Sequence, residues 1–327
     1  MYNRIASNRR RTVFIIFLFI VFIAALGFAV GYFIDYRYGI NSGYSILLMV
    51  FALLIAVIMS FSSYYWSDKL VLSLTGAVPM TREENPREYY MVEGLSIAAG
   101  LPMPKIYILE EQGMNAFATG RNPQNSVIAL TRGIMHNLDD DELKGVIAHE
   151  LSHIKNHDIL LQTIIVVLVG MVTIISNIFL RSMFFSGGRR SSRRESGSGG
   201  LISIVFLAIG LVLILLSPLI ALLIRFAVSR QREYLADANG ALITRYPAGL
   251  ANALRKMSAF SEVRAANNAT EHIFIVSPFG KNSKVAFSGL FNSHPPIRER
   301  IRRLEEMSLG IGLKSESVIN EEIKDGV

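Results

Sequence analysis

The chain has 327 residues, of which 51% are hydrophobic and only 18% charged, against about 25% charged in ordinary soluble domains; a simple soluble globule is excluded. Lys and Arg outnumber Asp and Glu by 33 to 26, a net charge of +7, but many arginines flank apolar runs as headgroup anchors and no nucleic-acid-binding motif accompanies them. There is no cysteine, so disulfides, thiolate metal ligands and a cysteine nucleophile are ruled out, leaving histidine and carboxylate as strong metal ligands.

The first apolar run, Val13 to Ile34, follows Arg4, Arg9, Arg10 and Arg11. It exceeds the roughly 7–15 residues of a signal-peptide core, and Gly31-Tyr32-Phe33 is a poor cleavage site, so it reads as a retained anchor. A second run, Ile46 to Tyr65, returns the chain, and Tyr64, Tyr65 and Trp66 form an interfacial belt followed by Lys69, Arg82 and Arg87. The positive-inside rule puts the N-terminus, and everything from Asp68 to Asp158, in the cytoplasm. In that stretch Pro86 to Ala99 has helical spacing, while Lys105 to Leu109, Ser126 to Leu130 and Asn115 to Thr119 read as strands. Asp139 with Glu142 three residues on predicts a capped helix start. With no breaker beyond it, that helix is expected to run into a third apolar span, Ile159 to Leu180.

A fourth span, Leu201 to Ile224, follows a Gly/Ser-rich loop with five arginines, residues 181–200. If both spans cross, that loop lies outside, against the charge rule; either the first hairpin dictates orientation or the second does not fully cross. Both bring the chain back to the side it left. The expected architecture is a mainly α integral membrane protein, with four hydrophobic helices and an α+β domain holding a small β-sheet. Its parts are a membrane hairpin (1–66), a cytoplasmic part (67–158), a second hairpin (159–225) and a C-terminal helical part (226–327).

The chemistry centres on Ala148-His149-Glu150-Leu151-Ser152-His153, an H-E-x-x-H motif. Residues four apart share a helix face, so His149 and His153 can present two imidazoles to one Zn²⁺ while Glu150 sits beside its water as general base. A catalytic zinc needs a third protein ligand. His157 lies about 12 Å along a straight helix from His149, and Lys155-Asn156-His157-Asp158 lacks the glycine turn of a metzincin; it reads as an interfacial polar residue. Ser229-Arg230-Gln231-Arg232-Glu233-Tyr234-Leu235-Ala236-Asp237 offers two acids on one helix face. Glu233 can ligate the metal and Asp237 can hold the far ring nitrogen of a ligand histidine; the alternative is a pair of surface carboxylates facing Arg230 and Arg232.

H-E-L-S-H-I-K-N-H-D, then S-R-Q-R-E-Y-L-A-D, then S-H-P-P-I-R-E-R-I in that order resemble the HtpX family of membrane-bound zinc metalloproteases, distant relatives of the CAAX prenyl proteases. The resemblance spans almost the whole chain, including N-A-F-A-T-G at Asn115 to Gly120. It implies one zinc bound by His149, His153 and Glu233, with Glu150 as base and Asp237 behind a ligand histidine. It also implies a catalytic role for His294 near the oxyanion; by itself, a histidine before two prolines is a rigid turn. Asn115, Ala116 and Phe117 would belong to an edge strand on which substrate backbone is laid, or to an ordinary strand. The implied function is a membrane-bound endopeptidase of a prokaryotic plasma membrane. It would be multi-pass, with its site on the cytoplasmic face, acting on misfolded membrane proteins under stress. The alternatives are a single-substrate processing protease of the CAAX type and a noncatalytic zinc-containing scaffold, against which Glu150 speaks because a structural site has no use for a carboxylate beside an open position.

Overall fold

The structure, a computed structural model, describes residues 2–38, 43–170, 229–266, 270–279 and 295–310. Two long helices open the chain, α1 (Tyr2–Tyr38) and α2 (Tyr44–Thr75). They pack along their length as a hairpin, and Gly31 permits it, since a Cβ there would come within 2.4 Å of the Ser45 Cα. Among the described residues these are the two helices long and apolar enough to cross a membrane. At 1.5 Å per residue they run about 55 and 48 Å, well beyond the roughly 30 Å of hydrocarbon. Their surplus enters the rest of the molecule: Val71, near the end of α2, is fully buried with Leu109, Phe117 and Phe274.

A four-stranded sheet follows, with β1 (Val78–Pro79), β2 (Lys105–Leu109), β3 (Ala116–Asn122) and β4 (Asn125–Thr131) in the order β1-β2-β4-β3. β2 and β4 are parallel, with Ile106 opposite Ile128, while β3 runs antiparallel to β4 and forms an edge of the sheet. Between β1 and β2 lies α3 (Pro86–Ala99), started by a proline at its first turn and ended by Gly100 in the left-handed region. After the short α4 (Arg132–Asn137) comes α5 (Asp140–Lys155), whose Asp139–Glu142 capping box is formed in full. α5 is the spine of the core, packed on α3, β3 and the later helices α7 (Arg230–Thr244) and α8 (Pro247–Met257). Leu143, Val146, Ile147 and Leu151 pack there with Ile128, Leu130, Leu250 and Leu254. A 3-10 turn (Glu271–Ile273) and α9 (Ile297–Ser308) complete the described elements.

The expectation that α5 runs unbroken toward the membrane is corrected. It ends at Lys155, His157 takes a left-handed φ of 57°, and a new helix, α6 (Asp158–Gly170), starts after it. A side chain of α1, Asn8, hydrogen-bonds both flanks of the break, at Asn156 O and Asp158 Oδ1. The described residues of α6 are wholly buried, with Leu161, Ile164 and Leu168 against Ile15, Phe19 and Ala56 of the hairpin. The remainder of the third span, the loop 181–200, the fourth span, His294 and the tail from Lys314 lie outside the described residues. The fold is mostly helical with a small mixed sheet.

Candidate metal centre

α5 places His149, Glu150 and His153 on its buried face, and α7 crosses that face with Glu233 and Asp237. The crossing is close because of Gly240: a Cβ there would stand 3.1 Å from the His149 backbone nitrogen. Asn239 of α7 donates from Nδ2 to Ser152 Oγ at 3.1 Å, fixing the register of the two helices.

The result is a convergence of three groups. His149 Nε2 and His153 Nε2 are 3.2 Å apart, and the Glu233 oxygens lie 3.7 and 3.5 Å from them. All three ligand atoms fall within 4.8 Å of one another, a group that can hold a metal ion. Tetrahedral zinc, with bonds of about 2.0–2.2 Å, spaces its ligand atoms about 3.3–3.6 Å apart, so the donor set fits a zinc ion. The far nitrogens are held as well: His149 Nδ1 is 3.0 Å from Asp237 Oδ1, and His153 Nδ1 is 3.1 Å from Asp158 Oδ2. A carboxylate on Nδ1 directs the Nε2 lone pair into the centre. Asp237 is itself clamped by the fully buried Arg300 of α9, which donates from Nε at 2.9 Å and Nη2 at 2.7 Å, and from Nη1 to Ile275 O at 3.0 Å.

The electrostatics follow from burial and these partners. Burial pushes the Glu150 carboxyl up to about 7; the charge of His153 opposes this and that of Glu233 reinforces it. For His153 burial works the other way, but its bond to Asp158 and the charges of Glu233, Asp158 and Glu150 outweigh it and hold the ring at about 9. Burial keeps His149 below the ordinary imidazole range in spite of Asp237. Burial opposes ionisation of Asp237, yet the Arg300 charge and the hydrogen bonds from His149 and Arg300 hold its carboxyl below the ordinary value.

Of the residues singled out in the sequence, five meet here: His149, Glu150, His153, Glu233 and Asp237. Ala116 and Phe117 begin β3 and Asn115 stands just before it; the strand's edge runs past Glu150, and the Ala118 backbone hydrogen-bonds that carboxylate. Part of this edge is already used. Ile275 N donates to Ala116 O at 3.1 Å, the Asn115 amide donates to Val276 O at 2.8 Å, and Phe117 stacks edge-on against Phe274. His294 lies outside the described residues. Two residues went unremarked, Asp158 and Arg300. Asp158 carried a signal as a lone acid at the head of an apolar run, and Arg300 as a cation inside the apolar stripe Ile297, Ile301, Leu304 of α9.

A mixed core crossed by an H-E-x-x-H helix, with a carboxylate delivered from a second helix, defines a metalloprotease. Residues 83–308 match Peptidase family M48, and the chain belongs to that family, among its HtpX proteases. It is 42% identical over 314 residues to the Protease HtpX homolog of Thermoanaerobacter pseudethanolicus, a match covering 94% of this chain and 98% of that one. With the Protease HtpX homolog of Dictyoglomus turgidum it shares 44% identity over 309 residues, 94% of each chain. A crystal structure of S. mikatae Ste24p aligns over 93% of this chain and 67% of its own, at 19% identity and a TM-score of 0.43. As an HtpX protease of Peptidase family M48 with two helices among its described residues long and apolar enough to cross a membrane, the chain is a membrane metalloprotease with protein substrates.

Proposed function

We propose that the chain is a zinc-dependent endopeptidase of a prokaryotic plasma membrane that removes misfolded membrane proteins. In this reading it crosses the membrane several times and its site faces the cytoplasm. The observation that carries it is the convergence of two Nε2 atoms and the Glu233 carboxylate, each imidazole backed by its own acid, with Glu150 alongside. His149, His153 and Glu233 would hold the zinc. When bound, zinc would polarise the scissile carbonyl and acidify a water. Glu150, its carboxyl raised to about 7, takes a proton at neutral pH and returns it to the leaving amine. Asp237 and Asp158 keep the imidazoles in the tautomer that points Nε2 inward.

Substrate backbone would lie along the outer edge of β3. The Ala116 carbonyl already serves Ile275, so the stretch from Ala118 onward meets the peptide while Asn115 and Phe117 brace the strand from within. His294 would support the oxyanion. It precedes Pro295 and Pro296, which lead into α9, and Arg300 anchors that helix on Asp237 one turn further on. The test uses purified full-length protein and an unfolded model substrate. About one zinc per chain is expected, with Glu150→Gln keeping the metal and losing cleavage. A Gln variant as active as the parent overturns the mechanism, and a Glu233→Ala variant that retains stoichiometric zinc overturns the ligand set.

A further inference from the structure

Asn8 belongs to α1, five residues before the apolar run that begins at Val13, yet it is only 6% exposed. Its amide donates twice, from Nδ2 to Asn156 O at 3.2 Å and to Asp158 Oδ1 at 2.7 Å. Those acceptors flank His157, so one side chain of the first membrane helix ties together the end of α5 and the start of α6. The other oxygen of Asp158 is the one on His153 Nδ1. The carboxylate therefore has one oxygen set by Asn8 and one turned to a histidine of the metal centre.

A competitor stands close by. Arg232 Nε lies 3.9 Å from the same Asp158 Oδ1, charged but beyond hydrogen-bond distance. There is also room to move: a polar cavity of about 250 Å³ lies between Arg11 and Arg232, with Asn8 and Asp158 in its wall. Without the amide, Asp158 is free to turn toward Arg232, which takes Oδ2 off His153 and releases the ring. A ligand histidine's orientation is set by what its other nitrogen holds.

We propose that Asn8 is a positioning residue for the metal site, fixing the rotation of Asp158 and through it the ring of His153. The first membrane helix is then part of the catalytic apparatus as well as its anchor. This rests on His153 being a zinc ligand, as proposed above.

The test measures zinc affinity of the full chain in lipid nanodiscs by competition with a chromogenic chelator. Asn8→Ala, and Asn8→Leu, which keeps the branched shape but donates nothing, are expected to weaken zinc binding about tenfold, the lower end for residues behind a ligand. In an Asp158→Asn background the same substitutions should add nothing. Melting of the zinc-free chain should also fall for Asn8→Leu, since Asn156 O and Asp158 Oδ1 lose a buried donor; a merely structural asparagine would lower that melting and leave zinc affinity alone. Parental zinc affinity in Asn8→Leu overturns the proposal, as does an equal loss in the Asp158→Asn background. Failure of the metal reading looks different: the parent would then hold no zinc, and this proposal falls with it.

Discussion

His153 and Glu150 sit within one turn of each other, and the same burial acts on them in opposite senses. In the zinc-free chain the His153 ring is held at about 9 against an ordinary 6.5. A raised folded value means that its contribution to stability is complete below about pH 6.5 and is lost as pH rises through about 9. Glu150, lifted from 4.5 to about 7, also binds its proton more tightly when folded, so between those values stability falls with rising pH as well. Asp237 is depressed and acts only at the acid end, where its contribution disappears as pH drops. Zinc competes with the His153 proton, so its own stabilisation grows with pH over the same window. His149, held below the ordinary imidazole range, acts in the opposite sense below about pH 6.5, so melting midpoints from about pH 7 to 10 are expected to decline without zinc, and the gap between zinc-loaded and zinc-free samples to widen. A flat zinc-free profile would contradict the geometry around His153.

The capping box of α5 stands at the opposite end of the helix from the histidines, and its two hydrogen bonds, 2.9 and 3.0 Å, are both made. Replacing Asp139 by Ala is expected to cost about 1 kcal/mol of stability, read as a lower melting midpoint with zinc stoichiometry unchanged. An unshifted midpoint would mean that α5 is held by packing alone. This cap was readable in advance because its signal is local, a short acid followed three residues later by a glutamate. The same holds for Pro86–Ala99 and Lys105–Leu109, whose bounds agree with the structure to the residue. Glu233 and Asp237 were also readable, since their spacing of four declares a shared face. The break at His157 was not, because the left-handed histidine sits between two residues that bond to Asn8, 148 and 150 residues away. Nor was the part played by Arg300, whose meaning depends on a carboxylate 63 residues earlier in the chain. Periodicity announces which face is buried, and long-range pairs decide what a charged residue on that face is for.

The two long helices are packed into the protease core, the first part of α1 against α6 and the end of α2 against the sheet. Orientation is open to a direct check because the chain has no cysteine of its own. Gln124, exposed at the β3–β4 turn, can be replaced by Cys in intact cells. A membrane-impermeant maleimide is expected to label it only after permeabilisation, and labelling of intact cells would place the core outside. The centre itself is assembled from distant parts of the chain. The two histidines come from α5, the third member of the group, Glu233, follows a further hydrophobic stretch, and the arginine that clamps Asp237 comes from α9. A ribosome adding about 5–20 residues per second therefore makes the imidazoles several seconds before Glu233, and Arg300 later again. In the proposed mechanism the nascent chain through that interval has Glu150 and two of the three ligands but no complete donor set, and a chain cut short before α9 lacks the clamp permanently. The order of synthesis thus acts as a safety catch: proteolytic competence is the last property the growing polypeptide acquires, after its membrane helices have been made.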